Sequence, residues 1–342
     1  MLYVPDPSSK RAPEMPAKLA HVAPFPAVAM KLLSLLSDED CNFSTIAACI
    51  CTDPALSGGL IRRANAADLR TYCEARSVLQ AVATLGMDRT RELSLAIMTS
   101  DYARAAAKAG IFGPCWHHTL ACALCASEIA RESGLHPVEA YTAALLHDIG
   151  RLGLISAYTA DYETVIAGAG GHPENLIRCE RERFGVDHAQ AGEWLAQRWG
   201  LPVSIQEVIA RHHDQPEKTL DQVGVVQIAC RLADMLGFGL GKYDELPDVA
   251  EMTAALPEWA RTRFQVQLPA LREAILREIR LFEGAEDPAP SAGEAPGSEQ
   301  PEVESAPELA PAADSPWSRL LLTGAVMAGM LLAGVIAHSL WP

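Results

Sequence analysis

Apolar residues recur three and four positions apart along most of the chain, the spacing that puts them on one face of a helix. One such stripe consists of Val28, Ala29, Leu32, Leu33, Leu35 and Leu36. Strict alternation of apolar and polar residues, which indicates a half-buried strand, is scarce. The pattern therefore predicts an all-α structure for residues 21–283.

Capping signals divide this region into separate helices. Asp53 precedes Pro54, as an N-cap residue precedes a proline in the first turn. Three segments have the form of a capping box: Ser77–Gln80, Asp187–Gln190 and Ser204–Glu207. Gly86 is predicted to end the helix that Ser77 opens. Asp187 is accordingly interpreted as a helix cap and not as a metal ligand.

The two ends of this helical region differ from it in composition. Residues 1–20 contain four prolines and no apolar run, which predicts a disordered tail without a secretory signal. Residues 284–316 are rich in Pro, Ala, Glu, Ser and Gly and contain little to bury. We expect residues 284–316 to form an extended, disordered linker.

A single transmembrane helix is predicted for residues 318–341. Leu320 to Ala337 carries no charged residue, and the flanks bring the apolar stretch to the ~20 residues that cross a bilayer. Trp317 and Trp341 bracket the stretch as interface anchors do. Arg319 lies on its N-terminal side, which orients the helical region toward the cytoplasm. The expected location is a bacterial inner membrane, with one C-terminal tail anchor.

Small residues recur every fourth position within this predicted span, at Ala325, Gly329, Ala333 and Ala337. Such a stripe lets two membrane helices approach closely, so it is compatible with a homodimer. Small residues are also common in single spans, and the alternative of an unpaired anchor stays open.

The charge balance argues against nucleic acid as a partner. The net charge is −15, and no cluster of Lys and Arg is available to neutralise phosphates. Nine acidic residues and no basic ones lie between Glu283 and Pro316.

The nine cysteines are odd in number, and most lie within apolar helical patterns. They are interpreted as reduced thiols and not as a disulfide framework. Cys122 and Cys125 form a CxxC within a predicted helix, without a second pair at zinc-finger spacing. This favours core packing over metal or redox use.

Histidines and aspartates supply the candidate chemistry. The candidate metal ligands are His118, His147, Asp148, His188, His212 and Asp234. Imidazole and carboxylate groups from several helices suit a divalent Fe, Mn, Zn or Ni ion in a bundle core. A water bound there becomes a nucleophile, and phosphate esters are a natural target. In that scheme Asp148 bridges metal ions and Arg151 orients a phosphate.

The order His, His-Asp, His, His-His, Asp resembles the metal-binding pattern of the HD superfamily, and the surrounding sequence resembles HDOD domains. The matching motifs are FPAV at Phe25, TDPALS at Thr52, IRRAN at Ile61, LGMD at Leu85, ALLHDIGRLGL around His147, GVDHAQAGEWLAQRWGLP around His188 and IARHHD at His212. The resemblance implies an all-helical bundle, residues 21–111, followed by an HD-like half, residues 112–283.

The resemblance leaves two functions open. HDOD domains imply a signalling or regulatory protein that binds protein partners or a small signal. The complete set of His and Asp positions instead favours a metal-dependent phosphohydrolase acting on a nucleotide or cyclic nucleotide. Against hydrolysis, nothing after His213 resembles the GYP stretch of HD-GYP phosphodiesterases, and Arg151 stands where those enzymes usually carry lysine.

Overall fold

The computed structural model describes seven stretches of the protein: residues 15–36, 41–66, 74–106, 112–170, 173–214, 220–240 and 249–283. Within them the chain forms helices and no β-strand, which confirms the all-α prediction. All of these stretches lie in one unit of the chain, Met1–Pro288.

Five helices make up the N-terminal part: α1 (Ala27–Leu36), α2 (Phe43–Ile50), α3 (Pro54–Ala64), α4 (Val78–Leu85) and α5 (Met87–Ala106). Ten more follow: α6 (Phe112–Ser133), α7 (Pro137–Leu146), α8 (Ile149–Ala157), α9 (Thr159–Ala169), α10 (Pro173–Phe184), α11 (His188–Trp199), α12 (Val203–Arg211), α13 (Gln222–Ala233), α14 (Val249–Met252) and α15 (Glu258–Glu283). A π-helical turn, Asp234–Phe238, continues α13.

The sequence located most of the helix starts that it marked. The Asp53 carboxylate accepts a hydrogen bond from the Leu56 amide at 2.9 Å, and Ser77 caps α4 in the same way. Gly86 follows α4 with φ +78°, a conformation that favours glycine. The prediction at Ser204 is wrong, because α12 begins at Val203 after Pro202 and has no side-chain cap.

The expected tail over residues 1–20 is too long. A 3-10 helix spans Ala17–His21, and its Leu19 is fully buried against Leu154 and Leu195 in a small apolar cluster. Packing of Leu19 therefore orders the chain before residue 21.

Helix α6 lies at the centre of the fold. It packs against α7, α13 and α15, and its residues from Leu120 to Ala123 have no exposed surface. A helix buried on nearly all sides needs small or apolar residues around its circumference, which the segment Leu120–Ala126 supplies. His118 and Thr119 on α6 are buried and therefore face other helices and not water.

Helices α8 and α11 approach each other through two glycines. A Cβ atom on Gly150 would lie 2.0 Å from the His188 carbonyl oxygen and 2.3 Å from the Gly192 nitrogen. Real Cβ atoms do not approach backbone atoms so closely, so only glycine allows this packing. The contact brings the start of α8 next to the start of α11.

No helix within the described stretches combines the length and apolar character of a membrane span. The predicted linker, residues 284–316, and the predicted transmembrane helix, residues 318–341, lie outside those stretches. Both remain predictions.

Candidate metal centre

The helix ends around α6 carry the candidate ligands. His118 lies on α6, and His147 with Asp148 forms the junction between α7 and α8. His188 opens α11, behind a capping box that Asp187 makes with Gln190. This confirms the interpretation of Asp187 as a cap. His212 and His213 directly follow α12.

Three of the imidazole rings are oriented by hydrogen bonds at Nδ1. His147 Nδ1–H donates to the Ala144 carbonyl oxygen at 2.6 Å, and His212 Nδ1–H donates to the Ile209 carbonyl oxygen at 2.8 Å. His188 Nδ1–H donates to the Glu180 carboxylate at 2.6 Å. Each bond selects the tautomer that leaves Nε2 with its lone pair, as in ligating histidines.

The Nε2 atoms of three histidines meet beside Asp148. His188 Nε2 lies 2.7 Å from His213 Nε2 and 3.3 Å from His212 Nε2. Asp148 Oδ1 lies 3.4 Å from His188 Nε2 and 3.7 Å from His212 Nε2. The structure thus brings these predicted ligands together and adds His213, which was not among the candidate ligands.

Asp234 joins this arrangement through His118. An Asp234 oxygen lies 3.3 Å from His118 Nδ1, on the side of the ring away from Nε2. Burial alone would lower the pKa of His118, but Asp234 and the nearby Cys230 outweigh it and raise that pKa to about 10. In this structure Asp234 therefore lies against the Nδ1 side of the His118 ring and raises the pKa of His118.

Arg151 occupies a different place from the expected one. Its Nε donates to Asp148 Oδ2 at 2.8 Å, and one terminal nitrogen donates to Asp148 Oδ1 at 3.3 Å and to His188 Nε2 at 3.1 Å. The side chain is almost entirely buried. The bonded nitrogens of Arg151 thus contact Asp148 and His188, and its expected role toward a substrate phosphate stays a prediction.

The same pair dominates the electrostatics of the centre. Burial would raise the pKa of Asp148, but the Arg151 guanidinium and the imidazoles hold it well below its usual value. At His212, burial together with His147 and His188 outweighs the nearby Asp148 carboxylate and lowers the pKa to about 3. Asp148 is thus a carboxylate, and His212 is a neutral imidazole.

Sequence reasoning missed three groups at this centre. Glu180 on α10 is fully buried, and it accepts from the His188 backbone amide at 2.9 Å as well as from the ring. Cys122 and Cys230 lie beside His118 and His147. Glu180 stands in a run of charged residues that resembles a solvated helix face, and the cysteines resemble core residues, so neither gave a signal.

The donors fit a divalent cation only in part. The His188, His212 and His213 nitrogens can be gathered around one ion, and imidazole suits the expected metals. Asp148 fits a bridge between two ions poorly, because both of its oxygens already accept from Arg151. The Arg151 guanidinium also cancels the negative charge of Asp148, one of the two carboxylates among the predicted ligands.

Comparison with known proteins agrees with this architecture. The HDOD domain family matches residues 22–215. An uncharacterized protein of Treponema pallidum is 22% identical over 256 residues, which cover 70% of this chain and 47% of that protein. The chain therefore spans about half the length of this curated relative.

Three solved structures share the fold. An HDOD domain protein of unknown function from Geobacter sulfurreducens has a TM-score of 0.64 at 22% identity, covering 75% of this chain and 94% of that one. A proposed signal transduction protein from Marinobacter aquaeolei gives 0.62 at 18% identity, covering 77% and 60%. A proposed phosphohydrolase from Shewanella amazonensis gives 0.57 at 23% identity, covering 78% and 98%. The family match extends over more than half of the sequence, and the chain belongs to the HDOD family.

Proposed function

We propose that this HDOD protein is a signalling or regulatory protein that acts by binding a protein partner or a small signal, without hydrolysing it. The observation that carries the proposal is the bond pair between Arg151 and Asp148. A hydrolytic two-metal centre needs its shared carboxylate free for the ions. In this structure the permanently charged Arg151 guanidinium occupies both oxygens of the Asp148 carboxylate, where metal ions would bind.

Burial supports the same proposal. His147, Asp148, His188 and His212 are all buried, and a phosphodiester would meet the exposed His213 before it reached them. A centre of this kind can fix the relative positions of α7, α8, α11 and α12 without turnover. The likeness to a proposed signal transduction protein is compatible with that role.

The proposal includes attachment to a membrane. Residues 318–341 would anchor the chain in the bacterial inner membrane, residues 284–316 would act as the tether, and the HDOD domain would lie in the cytoplasm. Tethering raises the effective concentration of the domain for partners at the same surface. Pairing of two anchors through Ala325, Gly329, Ala333 and Ala337 would produce a homodimer.

A metal-dependent phosphohydrolase is the second candidate. It is favoured by the three converging imidazole nitrogens and by a buried Arg151 nitrogen, Nη1, which has no hydrogen-bond partner among the described residues. A phosphate oxygen is an acceptor that such a nitrogen could use. The likeness to a proposed phosphohydrolase points the same way.

A measurement of phosphodiester hydrolysis separates the two candidate functions. The full chain is incubated with bis(p-nitrophenyl) phosphate and with cyclic dinucleotides, each in the presence of Mn²⁺, Fe²⁺, Zn²⁺ or Ni²⁺. We expect no hydrolysis above that of the Asp148→Ala variant. Turnover by the unaltered chain that is lost in Asp148→Ala, while the helical circular dichroism spectrum is kept, would reject the signalling proposal in favour of the enzyme.

A further inference from the structure

A second group of donors lies beside the Asp148 centre and has a different chemistry. It consists of His118, Cys122, His147 and Cys230, each of which offers one ligand atom within 4.8 Å of those of the other three. His118 and Cys122 are one turn apart on α6, His147 follows α7, and Cys230 lies on α13. Three packed helices therefore point two nitrogens and two sulfurs at one place.

The spacing agrees with a tetrahedral site. Zinc bonds of roughly 2.1 Å to nitrogen and 2.3 Å to sulfur put neighbouring N and S ligands about 3.6 Å apart at a tetrahedral angle. His118 Nε2 lies 3.4 Å from Cys122 Sγ. Small side-chain shifts inward would bring all four atoms to bonding distance.

Both histidines have an oxygen acceptor on the Nδ1 side of the ring. The Asp234 carboxylate lies 3.3 Å from His118 Nδ1, on the side of the ring opposite to the sulfur. His147 donates from Nδ1 to the Ala144 carbonyl oxygen at 2.6 Å. A carboxylate or carbonyl behind the ring is the arrangement that fixes histidines on metal ions.

Charge and burial favour a cation at this place. All four side chains are buried, and the pair of sulfurs is enclosed by the fold. A divalent ion bound here would balance the two thiolates that it needs as ligands. The Arg151 guanidinium next door is engaged with Asp148.

We propose that His118, Cys122, His147 and Cys230 form a tetrahedral two-histidine, two-cysteine site for Zn²⁺. Thiolates select a thiophilic ion over the harder Mn²⁺, and four protein ligands close the coordination sphere. The site ties α6, α7 and α13 together. It shares no residue with the group His188, His212 and His213, but it uses His118 and His147, which the hydrolytic scheme would need as ligands.

Cobalt substitution tests the site directly. The full chain is stripped of metal under anaerobic reducing conditions and titrated with Co²⁺, which replaces Zn²⁺ and reports its ligands by absorption. We expect a thiolate-to-cobalt charge-transfer band and tetrahedral visible bands that reach completion at about one ion per chain. Zn²⁺ should then displace the cobalt and abolish both signals.

Cys125 provides the matched control. It is a buried free thiol on the same helix, one turn beyond Cys122, and it lies outside the four-residue group. Cys122→Ser and Cys230→Ser should each weaken the charge-transfer band, since only one thiolate remains, or weaken cobalt binding at least ~10-fold, the loss that even outer partners of a metal ligand cause. Cys125→Ser should keep both the band and the affinity.

Several results would overturn the site. These are cobalt binding without charge transfer, or loss of the band in Cys125→Ser. X-ray absorption on the unaltered zinc-loaded chain covers the case in which the serine variants do not fold. Two sulfur and two nitrogen neighbours support the site, whereas a shell of nitrogen and oxygen alone contradicts it. Neither measurement depends on hydrolytic activity.

Discussion

Arg151 is the residue that decides how the Asp148 centre should be understood. A guanidinium cannot lose its charge within the protein, and its fork matches both oxygens of a carboxylate. Arg151 therefore gives the Asp148 carboxylate a permanent cationic partner. In a metal-dependent enzyme that carboxylate would instead bind exchangeable metal ions. Both side chains are buried, so each would be left as an uncompensated charge if the other were removed.

Replacement of either Arg151 or Asp148 alone should lower the free energy of unfolding much more than replacement of both. Arg151→Met leaves the Asp148 carboxylate buried and unpaired, and we expect a loss of about 3–5 kcal/mol in the free energy of unfolding. Asp148→Asn should have a similar cost for the reverse reason. The double variant should lose less than the sum of the two, since neither charge remains. Urea unfolding of the metal-free chain measures this coupling, and simple additivity would contradict the pair.

His212 should give the metal-free protein a pH-dependent stability. Its pKa falls from 6.5 to about 3 on folding, so below pH 6.5 the unfolded chain binds one proton more than the folded chain. The resulting contribution to stability is complete above pH 6.5 and is lost as the pH falls toward 3. The expected slope is about 1.4 kcal/mol per pH unit between roughly pH 5.5 and 4.

The His212→Gln variant isolates that slope from the other titrating groups. With chelator present, the free energy of unfolding of this variant should change less steeply with pH than that of the unaltered chain. The difference in slope should be about 1.4 kcal/mol per pH unit, the contribution of one proton. Equal slopes in the two proteins would mean that His212 titrates normally in the folded state.

Residue order in the sequence was enough to find the histidines, because His-Asp and His-His pairs at helix ends are rare in a packed core. It was not enough to find their supports. Glu180 lies eight residues before His188, and only the turn of the chain from α10 into α11 brings its carboxylate to the ring. Cys122 and Cys230 are more than a hundred residues apart, and the contact between α6 and α13 makes them neighbours.

At the scale of elements, the packing of α8 on α11 determines whether the centre exists. Gly150→Ala would place a methyl group 2.0 Å from the His188 carbonyl oxygen, so the two helices must separate. We expect a loss of several kcal/mol in stability, and separation of Arg151 from His188. Thermal unfolding and the histidine NMR signals measure the two effects.

Gly168 on α9 is the matched control for this substitution. It is helical and exposed, and a Cβ atom there would meet nothing within 4 Å. Gly168→Ala should therefore stabilise the protein by roughly 0.5–1 kcal/mol, because alanine is the better helix former. If Gly150→Ala were as harmless as Gly168→Ala, the close approach of α8 and α11 would be refuted.

Local rules predicted elements well where one residue decides the boundary. Asp53, Ser77 and Asp187 each cap a helix because the side-chain oxygen reaches an amide in the first turn. Ser204 has the same local sequence, but Pro202 starts α12 earlier with its fixed φ, and the serine falls inside the helix. The burial of Leu19 depends on α8 and α11, which no local pattern near Leu19 contains.

At the scale of the whole molecule, the chain combines a helical domain with a C-terminal region of opposite character. The described part of the domain has a large apolar core and three neighbouring groups of donor side chains, which overlap at His147 and His212. Residues 284–316 are acidic and contain few apolar residues, so they would repel one another and keep the domain at a distance from an anionic bilayer. In the proposed arrangement the domain can search the membrane surface without binding to it through charge.

Deletion of the predicted anchor tests this arrangement directly. Removal of residues 317–342 should release the chain from the membrane fraction into the soluble fraction, because the remaining chain has no apolar stretch long enough to cross a bilayer. A deletion of the same length within the linker, residues 290–315, keeps the apolar stretch and should leave the protein in the membrane fraction even after a carbonate wash. The HDOD domain should give the same helical circular dichroism signal in both variants, since neither deletion touches its core. If the chain without residues 317–342 still sedimented with membranes, or if the linker deletion released it, attachment would depend on another part of the protein and the anchor would be refuted.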